Sequence, residues 1–177
     1  QVEVRSIVED SFGNLILGTS YGLYRYLPNQ EKDQIQLIRK GVYNTVSINN
    51  NHIWEGTNDG LLEFNNLSNF KKPSLIGIFK YDPKHPNYSL TKTAIKSLFI
   101  DKTGIVWIGT NGGGVNKFDP HKKQFTHIKN NLDPGSLSND KVRAILEDSE
   151  QNLWMGTEGG GLNCLSKEDT NKNYNKF

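Results

Sequence analysis

One short sequence pattern occurs four times in this chain, and the repetition constrains the fold more than any other feature. A Gly-Thr pair sets the register of the copies, with its glycine at Gly18, Gly56, Gly109 and Gly156. Successive glycines are 38, 53 and 47 residues apart. A repeat of about 40–50 residues with several short strands is typical of one β-propeller blade, a four-stranded sheet. The sequence therefore predicts an all-β chain of about four antiparallel, four-stranded blades.

A tight hairpin is predicted just before each Gly-Thr strand. The strand that leads into the hairpin ends in an acid or amide, namely Asp10, Asn49, Asp101 or Asp148. Such side chains accept hydrogen bonds from backbone amides of the following turn. Three residues later, Gly13 and Gly104 supply a positive φ, whereas Gln151 must adopt it at a higher cost. The second copy lacks this glycine and is one residue shorter, so its hairpin is expected to differ.

All three tryptophans of the chain occupy one position of the repeat, two residues before the Gly-Thr glycine. They are Trp54, Trp107 and Trp154, and Ile16 takes the place in the first copy. A large ring here suits packing between one blade and the next, with the glycine leaving room for a neighbouring group. The flanking residues are also mostly apolar, which predicts burial on both faces of the strand. Glu55 is the exception and indicates a wetter second blade.

The predicted blades cover residues 1–40, 41–82, 83–129 and 130–177. The strands expected in blade one are 4–9, 15–19, 22–26 and 34–39, and those in blade two are 43–48, 52–57, 60–65 and 77–81. Blade four is expected to contain strands 142–147, 153–157 and 161–165, with 173–177 as its outer strand. Four blades in an incomplete ring leave two apolar faces exposed. The favoured reading is a fragment of a larger propeller, with a closed four-bladed ring or pairing of two copies as alternatives.

Composition argues against several classes of protein. The formal charge of +2 is too small to indicate a nucleic-acid partner, and no apolar run approaches the roughly 18 residues of a membrane span. A lone cysteine, Cys164, permits no internal disulfide, and its polar counterparts in the other copies indicate an incidental position. No cofactor is expected. No metal site is expected either, because the four histidines are scattered without ligand spacing.

The combined pattern resembles the two-component regulator propeller repeat. The similarity is strongest over residues 101–119 and 140–165, good over 4–26 and weaker over 43–65. It implies a periplasmic sensor region of a hybrid two-component system of the kind typical of gut Bacteroidetes, followed by a membrane span and a histidine kinase. Such regions sense oligosaccharides released from glycans. The expected partners are therefore an oligosaccharide, the remaining blades and kinase of the same polypeptide, or a second copy of the chain.

Candidate ligand residues follow from the expected architecture of a propeller. At the start of each innermost strand stand Arg5, Asn44, Lys96 and Arg143. Three of these four are basic, so a ring of them would attract the carboxylate or sulfate groups of acidic sugars. The alternative is that they pair with neighbouring acids such as Glu9 or Glu147. Loops near the channel mouth add Tyr21, Tyr43, Asn58, Asp59, Asn111 and Glu158, which are suited to sugars but are also ordinary loop residues.

Two other functions compete with ligand sensing. A propeller without chemistry of its own would serve as a protein-interaction platform. A lyase or glycosidase would need a pair of acids, and Glu9-Asp10 and Glu147-Asp148 are the obvious candidates. Adjacent strand residues face opposite sides of a sheet, so neither pair converges on one substrate. The sequence therefore favours a segment that is not an enzyme.

Overall fold

The computed structural model describes residues 1–28, 34–49, 52–65, 73–122, 124–133 and 135–170. Within these ranges, fifteen strands form four antiparallel sheets, and in each sheet the strands follow chain order. Sheet one contains β1 (Val4–Glu9), β2 (Leu15–Thr19), β3 (Gly22–Leu27) and β4 (Gln34–Lys40), and sheet two contains β5 (Thr45–Asn49), β6 (His52–Gly56), β7 (Leu61–Asn65) and β8 (Ser74–Phe79). Sheet three contains β9 (Ile95–Ile100), β10 (Val106–Thr110), β11 (Val115–Asp119) and β12 (Gln124–Ile128), and sheet four contains β13 (Val142–Glu147), β14 (Leu153–Thr157) and β15 (Gly161–Leu165).

The predicted fold class, an all-β protein of propeller blades, is confirmed. Each sheet packs its innermost strand against that of the next sheet, from β1 to β5 to β9 to β13. A 3-10 turn (Pro86–Tyr88) precedes sheet three, and the short helix α1 (Lys167–Thr170) follows β15. Sheet four has three strands among the described residues, and the outer strand predicted at 173–177 lies outside them.

Strand boundaries in sheet two differ from the prediction. The outer strand β8 covers Ser74–Phe79 rather than 77–81, because residues from Ser74 onward already pair with the full length of β7. Strand β5 begins at Thr45 rather than 43, since Tyr43 belongs to the connection from sheet one and is buried between the two sheets. The second hairpin, at residues 50 and 51, lies outside the described residues.

Hairpins in the other three copies have the predicted geometry. Asp10 Oδ1 accepts hydrogen bonds from the Phe12 and Asn14 amides at 2.9 Å, and Asp101 and Asp148 accept equivalent bonds. Gly13 and Gly104 have φ values of +79° and +87°, and Gln151 adopts +69° at the same place. Gln151 is the only non-glycine residue with positive φ in the part of the chain that the structure describes. The fourth hairpin therefore carries a conformational cost that the first and third do not.

The threonine of every Gly-Thr pair closes the turn that follows its strand. Its hydroxyl donates a hydrogen bond of 2.7–2.9 Å to a glycine carbonyl three or four residues later in all four copies. The backbone amide two residues after Thr19 or Thr57 also donates to the same hydroxyl. A short β-branched residue with a hydroxyl can occupy a strand and bond the next turn at once. This explains why threonine recurs beside the glycine.

Contacts between the sheets use the tryptophan and the glycine together. Trp107, with 1% of its surface exposed, packs in one cluster with Val142, Ile145 and Met155 of sheet four. Trp54 packs in the same way against sheet three. A Cβ atom at Gly109 would approach Val142 of the next sheet within 2.9 Å. The corresponding contacts are Gly18 against Val46 at 2.9 Å and Gly56 against Ile95 at 2.6 Å.

Two faces at the ends of the row of sheets are exposed and apolar. On sheet four, Trp154 is only partly buried, while Leu146 and Leu162 are 61% and 66% exposed. A Cβ at Gly156 would meet only Ala144 of its own sheet. On sheet one, Ile7 and Ile35 are 62% and 65% exposed. The surfaces that are covered between neighbouring sheets elsewhere are thus open at both ends of the described arc.

Replacement of Gln151 by Gly should stabilise the protein by about 1 kcal/mol, because glycine adopts a positive φ without the steric cost that a side chain incurs. The free energy of unfolding in denaturant measures the change. The neighbouring substitution Glu150→Gly is the control and should destabilise, because it adds chain entropy without relieving strain. Equal destabilisation by both substitutions would contradict the strain at Gln151.

Replacement of Trp107 by Ala should destabilise the fold by about 3–5 kcal/mol, because the ring is buried between sheets three and four. The matched variant Trp154→Ala removes the same side chain from the exposed face of sheet four and should cost clearly less. Thermal and denaturant unfolding of both variants provide the comparison. An unchanged melting temperature for Trp107→Ala would count against the packing described here.

Candidate functional site

A pocket of about 480 Å³ opens between sheets one and two, and we call it the blade 1–2 pocket. One wall is formed by the end of β4, including Lys40, and the connection to β5, including Tyr43. The other wall is formed by the loop from β6 to β7, including Asn58 and Asp59, by strands β7 and β8, and by Lys80 just after β8. This volume falls in the range of small-molecule sites, roughly 300–1,000 Å³. Apolar side chains complete the lining: Val42, Leu62 and Ile78.

An ion pair between Arg39 and Glu55 joins the two sheets beside this pocket. Arg39 is the penultimate residue of β4, and its Nη2 donates to Glu55 Oε2 on β6. The guanidinium also lies over the Phe64 ring, 4.1 Å from its centroid, and 5.4 Å from that of Tyr43. Glu55 has 1% of its side chain exposed, whereas Arg39 has 33% exposed and lines the pocket. The arginine thus joins the buried interface to the open cavity.

The expectation that Glu55 marks a wetter second blade was wrong. The carboxylate is buried on the face of sheet two that packs against sheet one, and a charged partner from that sheet compensates it. Sequence position showed an acid in an otherwise apolar strand. It did not show that an arginine from the outer strand of the previous blade would reach it, because that contact depends on how the two sheets dock.

Burial changes the acid–base properties of this cluster. It raises the pKa of Glu55 to about 7, and the nearby Arg39 opposes the rise without cancelling it. Burial also raises the pKa of Tyr43, with a further contribution from the negative charge of Glu55. Desolvation favours the neutral form of an acid, which explains both directions. Glu55 is therefore a group that changes charge near neutral pH.

Three of the predicted ligand residues, Tyr43, Asn58 and Asp59, line the blade 1–2 pocket. A fourth, Asn44, lies behind it and donates from Nδ2 to Asn58 Oδ1 at 2.8 Å. The same Nδ2 donates to the Ile95 carbonyl of sheet three at 2.9 Å. Asn44 therefore fixes the pocket loop and links it to the next sheet.

The predicted basic positions share a feature that the sequence did not reveal. Arg5, Lys96 and Arg143 are each the extra residue of a β-bulge at the start of an innermost strand. A bulge redirects a side chain relative to the rest of its strand. Arg5 Nη1 donates to Asn44 Oδ1 at 3.0 Å, so two neighbouring members of the predicted ring are in contact. Strand β5 of the second sheet pairs without such a shift.

Acidic partners neutralise two of these three cations. Arg5 pairs with Glu3 at 2.9 Å, and Arg143 pairs with Glu158, another predicted ligand residue. The pairing with Arg143 lowers the pKa of Glu158. Glu9 and Glu147, the partners suggested from the sequence, were wrong. The arginines pair with Glu3 and Glu158 instead, and Glu147 Oε1 lies 3.4 Å from Lys102 Nζ. The alternative that these cations pair with neighbouring acids thus holds for Arg5 and Arg143. Among the described residues, no ion pair involves Lys96.

Tyr21 and Asn111 are not part of the blade 1–2 pocket. Tyr21 is about half exposed in the β2–β3 loop, and its carbonyl accepts a bond from Gly41. Asn111 is exposed and forms a backbone bridge with Lys141. The structure therefore brings Tyr43, Asn44, Asn58 and Asp59 together at the blade 1–2 pocket. It also joins Arg5 to Asn44 and Arg143 to Glu158, while Tyr21, Lys96 and Asn111 lie outside the pocket.

Residues that the sequence analysis missed include Arg39 and two buried asparagines. Asn116 and Asn163 occupy the same position of the third strand in sheets three and four, and each exchanges hydrogen bonds with the connector that precedes its sheet. The sequence shows an asparagine at the same position of both repeats. It does not show that the preceding connector folds back to bond with that asparagine. Arg39 carried no repeat signal at all.

Two smaller clefts lie between later sheets. One, of about 370 Å³ between sheets two and three, contains a contact of 2.8 Å between His52 Nδ1 and Glu63. The other, of about 250 Å³, lies between sheets three and four beside Trp107. In the proposed acid pairs, Asp10 and Asp148 are occupied as hairpin acceptors. Across the described part of the chain, no three His, Cys, Asp or Glu residues are grouped to hold a metal, and no helix has the length and apolarity to cross a bilayer.

The raised pKa of Glu55 predicts that stability falls as pH rises. The folded state holds this proton to a higher pH than the unfolded chain, so the free energy of unfolding should decrease between about pH 4.5 and 7. Relative to Glu55→Gln, the wild type should lose up to about 3 kcal/mol between pH 5 and pH 8. Urea unfolding at both pH values measures this difference. Glu150→Gln, at an exposed position, should keep the wild-type dependence, and an equal dependence in Glu55→Gln would contradict the assignment.

Comparisons with known proteins agree with the repeat. The family model described as two component regulator propeller matches residues 89–112 and 136–159. No curated protein sequence matches. A solved extracellular domain of a putative hybrid two-component system from B. thetaiotaomicron is 24% identical with a TM-score of 0.71, and the alignment covers 94% of this chain and 24% of that one. A second such domain from the same organism is 20% identical with a TM-score of 0.56, covering 99% and 30% of the two chains.

A further solved structure has a different role in its own organism. PorZ, a surface component of the type-IX secretion system of Porphyromonas gingivalis, is 20% identical with a TM-score of 0.69, covering 98% of this chain and 27% of that one. At these identities the structures establish a shared propeller fold, and this chain spans about a quarter of their length. The matched segments contain the last residues before sheets three and four and the first two strands of each of these sheets. The resemblance inferred from the sequence is confirmed for sheets three and four, where residues 89–112 and 136–159 match the two component regulator propeller model.

Proposed function

We propose that this chain is a ligand-sensing, periplasmic propeller segment of a hybrid two-component sensor histidine kinase, and that it responds to an oligosaccharide. The observation that carries the proposal is a ligand-sized pocket, between two blades of a regulator-type propeller, lined by loop residues. Solved extracellular domains of putative hybrid two-component systems have the same fold, which supports the sensor role. The segment itself contributes binding rather than catalysis.

The lining of the blade 1–2 pocket suits a sugar. Asn58 and Asp59 present amide and carboxylate groups, which bond sugar hydroxyls. Leu62, Ile78 and Val42 supply apolar surface for the C–H faces of a sugar ring. Tyr43 is mostly buried, so its ring shapes the pocket while its hydroxyl donates to the Lys40 carbonyl at 3.3 Å. A mixed lining of this type fixes the orientation of a polar ligand.

Further blades of the same polypeptide are the proposed partners of the two open faces. Exposed Leu146 and Leu162 on sheet four, and Ile7 and Ile35 on sheet one, form apolar surfaces larger than scattered single side chains. Each face corresponds, position by position, to a face that the next or previous blade covers elsewhere in the chain. The same polypeptide would also carry the membrane span and the kinase that read the bound state. Pairing of two copies is the alternative for the same surfaces.

Calorimetric titration of the chain with a panel of glycan-derived oligosaccharides tests the proposal. We expect saturable heat with at least one member, and Asn58→Ala should weaken its binding about fivefold, since one lost pocket hydrogen bond is worth roughly 1 kcal/mol. Asn87→Ala, at an exposed position in the 3-10 turn, is the matched control and should bind as the wild type does. Absence of saturable heat with every glycan would contradict the sensing role.

A further inference from the structure

We propose that the blade 1–2 pocket selects sugars that carry an anionic group, a carboxylate or a sulfate, and that Arg39 is the residue that recognises this group. The inference rests on the sugar-sensing function proposed above and adds the ligand class and the specificity-determining residue. Among the residues that the structure describes, Arg39 is the only one in the pocket lining that forms an ion pair with a buried acid.

The charge of the pocket favours an anion. Three cations line it, Arg39, Lys40 and Lys80, against one acid, Asp59. Counting the buried Glu55 behind Arg39 still leaves an excess of positive charge. A cavity lined by one sign of charge and partly shielded from water raises the local concentration of oppositely charged ligands. A neutral sugar would gain nothing from this excess.

Arg39 is held in a fixed orientation before any ligand arrives. Glu55 accepts from one Nη atom, and the faces of Phe64 and Tyr43 lie 4.1 Å and 5.4 Å from the guanidinium carbon. A guanidinium has five donors in a planar fork, so one carboxylate does not use them all. With a third of the side chain exposed, donors remain for a ligand. A carboxylate or sulfate matches this fork geometry, and the fixed orientation lowers the entropic cost of binding.

Glu55 sets how strongly the site attracts an anion. It holds the guanidinium in place, but its negative charge competes with the ligand for the same cation. Removing that charge while keeping the shape, as in Glu55→Gln, should therefore strengthen binding of charged sugars and leave neutral sugars unaffected. A purely structural ion pair predicts no such gain, because its loss would change only stability.

The other cationic positions do not form an equivalent site. Arg5 and Arg143 are paired with exposed glutamates and do not line a cavity of this size. The cleft between sheets three and four has about half the volume of the blade 1–2 pocket, and no arginine is among its lining residues. Its lysines face two acids, Asp101 and Glu147, and Lys102 pairs with Glu147. The blade 1–2 pocket therefore combines volume, excess positive charge and an oriented arginine.

Matched pairs of charged and neutral sugars test the inference by calorimetry at pH 8, where Glu55 is ionised. Digalacturonate against its dimethyl ester probes a carboxylate, and 3′-sulfolactose against lactose probes a sulfate. We expect the wild type to bind at least one charged sugar about tenfold more tightly than its neutral partner. In Glu55→Gln that ratio should rise several-fold, and in the double variant Arg39→Gln/Glu55→Gln it should fall close to one.

Arg39→Gln alone would leave Glu55 buried without its partner and could unfold the protein. The double variant removes both charges, and circular dichroism verifies that it is folded. Lys84→Gln removes one positive charge from an exposed position outside the pocket and should leave the ratio unchanged. If the protein discriminates between digalacturonate and its ester, the preferred group is a carboxylate. If it discriminates between 3′-sulfolactose and lactose, the preferred group is a sulfate. Equal affinity for charged and neutral partners, or a ratio that survives in the double variant, overturns the inference. Binding of neutral glycans that still depends on Asn58 would then leave the sensing role intact.

Discussion

The close approach of one sheet to the next at the glycine of the Gly-Thr pair is the contact on which this architecture depends. Gly18, Gly56 and Gly109 each receive a β-branched residue from the innermost strand of the following sheet, at distances that leave no room for a Cβ atom. A large ring or Ile16 two residues earlier fills the wider space on the same face. The alternation of a small and a large residue sets how two blades dock, and docking in turn creates the cavities between them.

Much of the fold was predictable because it is local and repeated. The bounds of β1, β2 and β13 to β15, the hairpin acids and the unusual conformation of Gln151 all follow from residues within one copy of the repeat, and β3 and β4 each end one residue later than predicted. Sheet two was predicted less well, since its copy lacks the hairpin glycine and its outer strand β8 lies beyond a long polar connection. Pairing with β7, rather than the residues of β8 themselves, fixes where that strand begins.

The candidate site was only partly predictable because it forms between repeats rather than within one. Loop position suggested Tyr43, Asn58 and Asp59 as ligand residues, and the structure places all three in the lining of one pocket. Arg39 and Glu55, which belong to different blades and meet only when the sheets dock, gave no joint signal in the sequence. The three bulged cations show the same limit: their shared position was visible, but the bulge that directs each side chain away from its strand was not.

The direction of the blade contact has a consequence for how such chains associate. The tryptophan-and-glycine face of each blade fits the opposite face of its successor, so the two ends of the arc are unlike surfaces that complement each other. A two-fold dimer would place like against like and leave this fit unused. Head-to-tail contact is heterologous, and it terminates only when the rotation closes a ring; otherwise each added copy exposes a fresh end. Ring closure is thus also the device that prevents open-ended polymerisation.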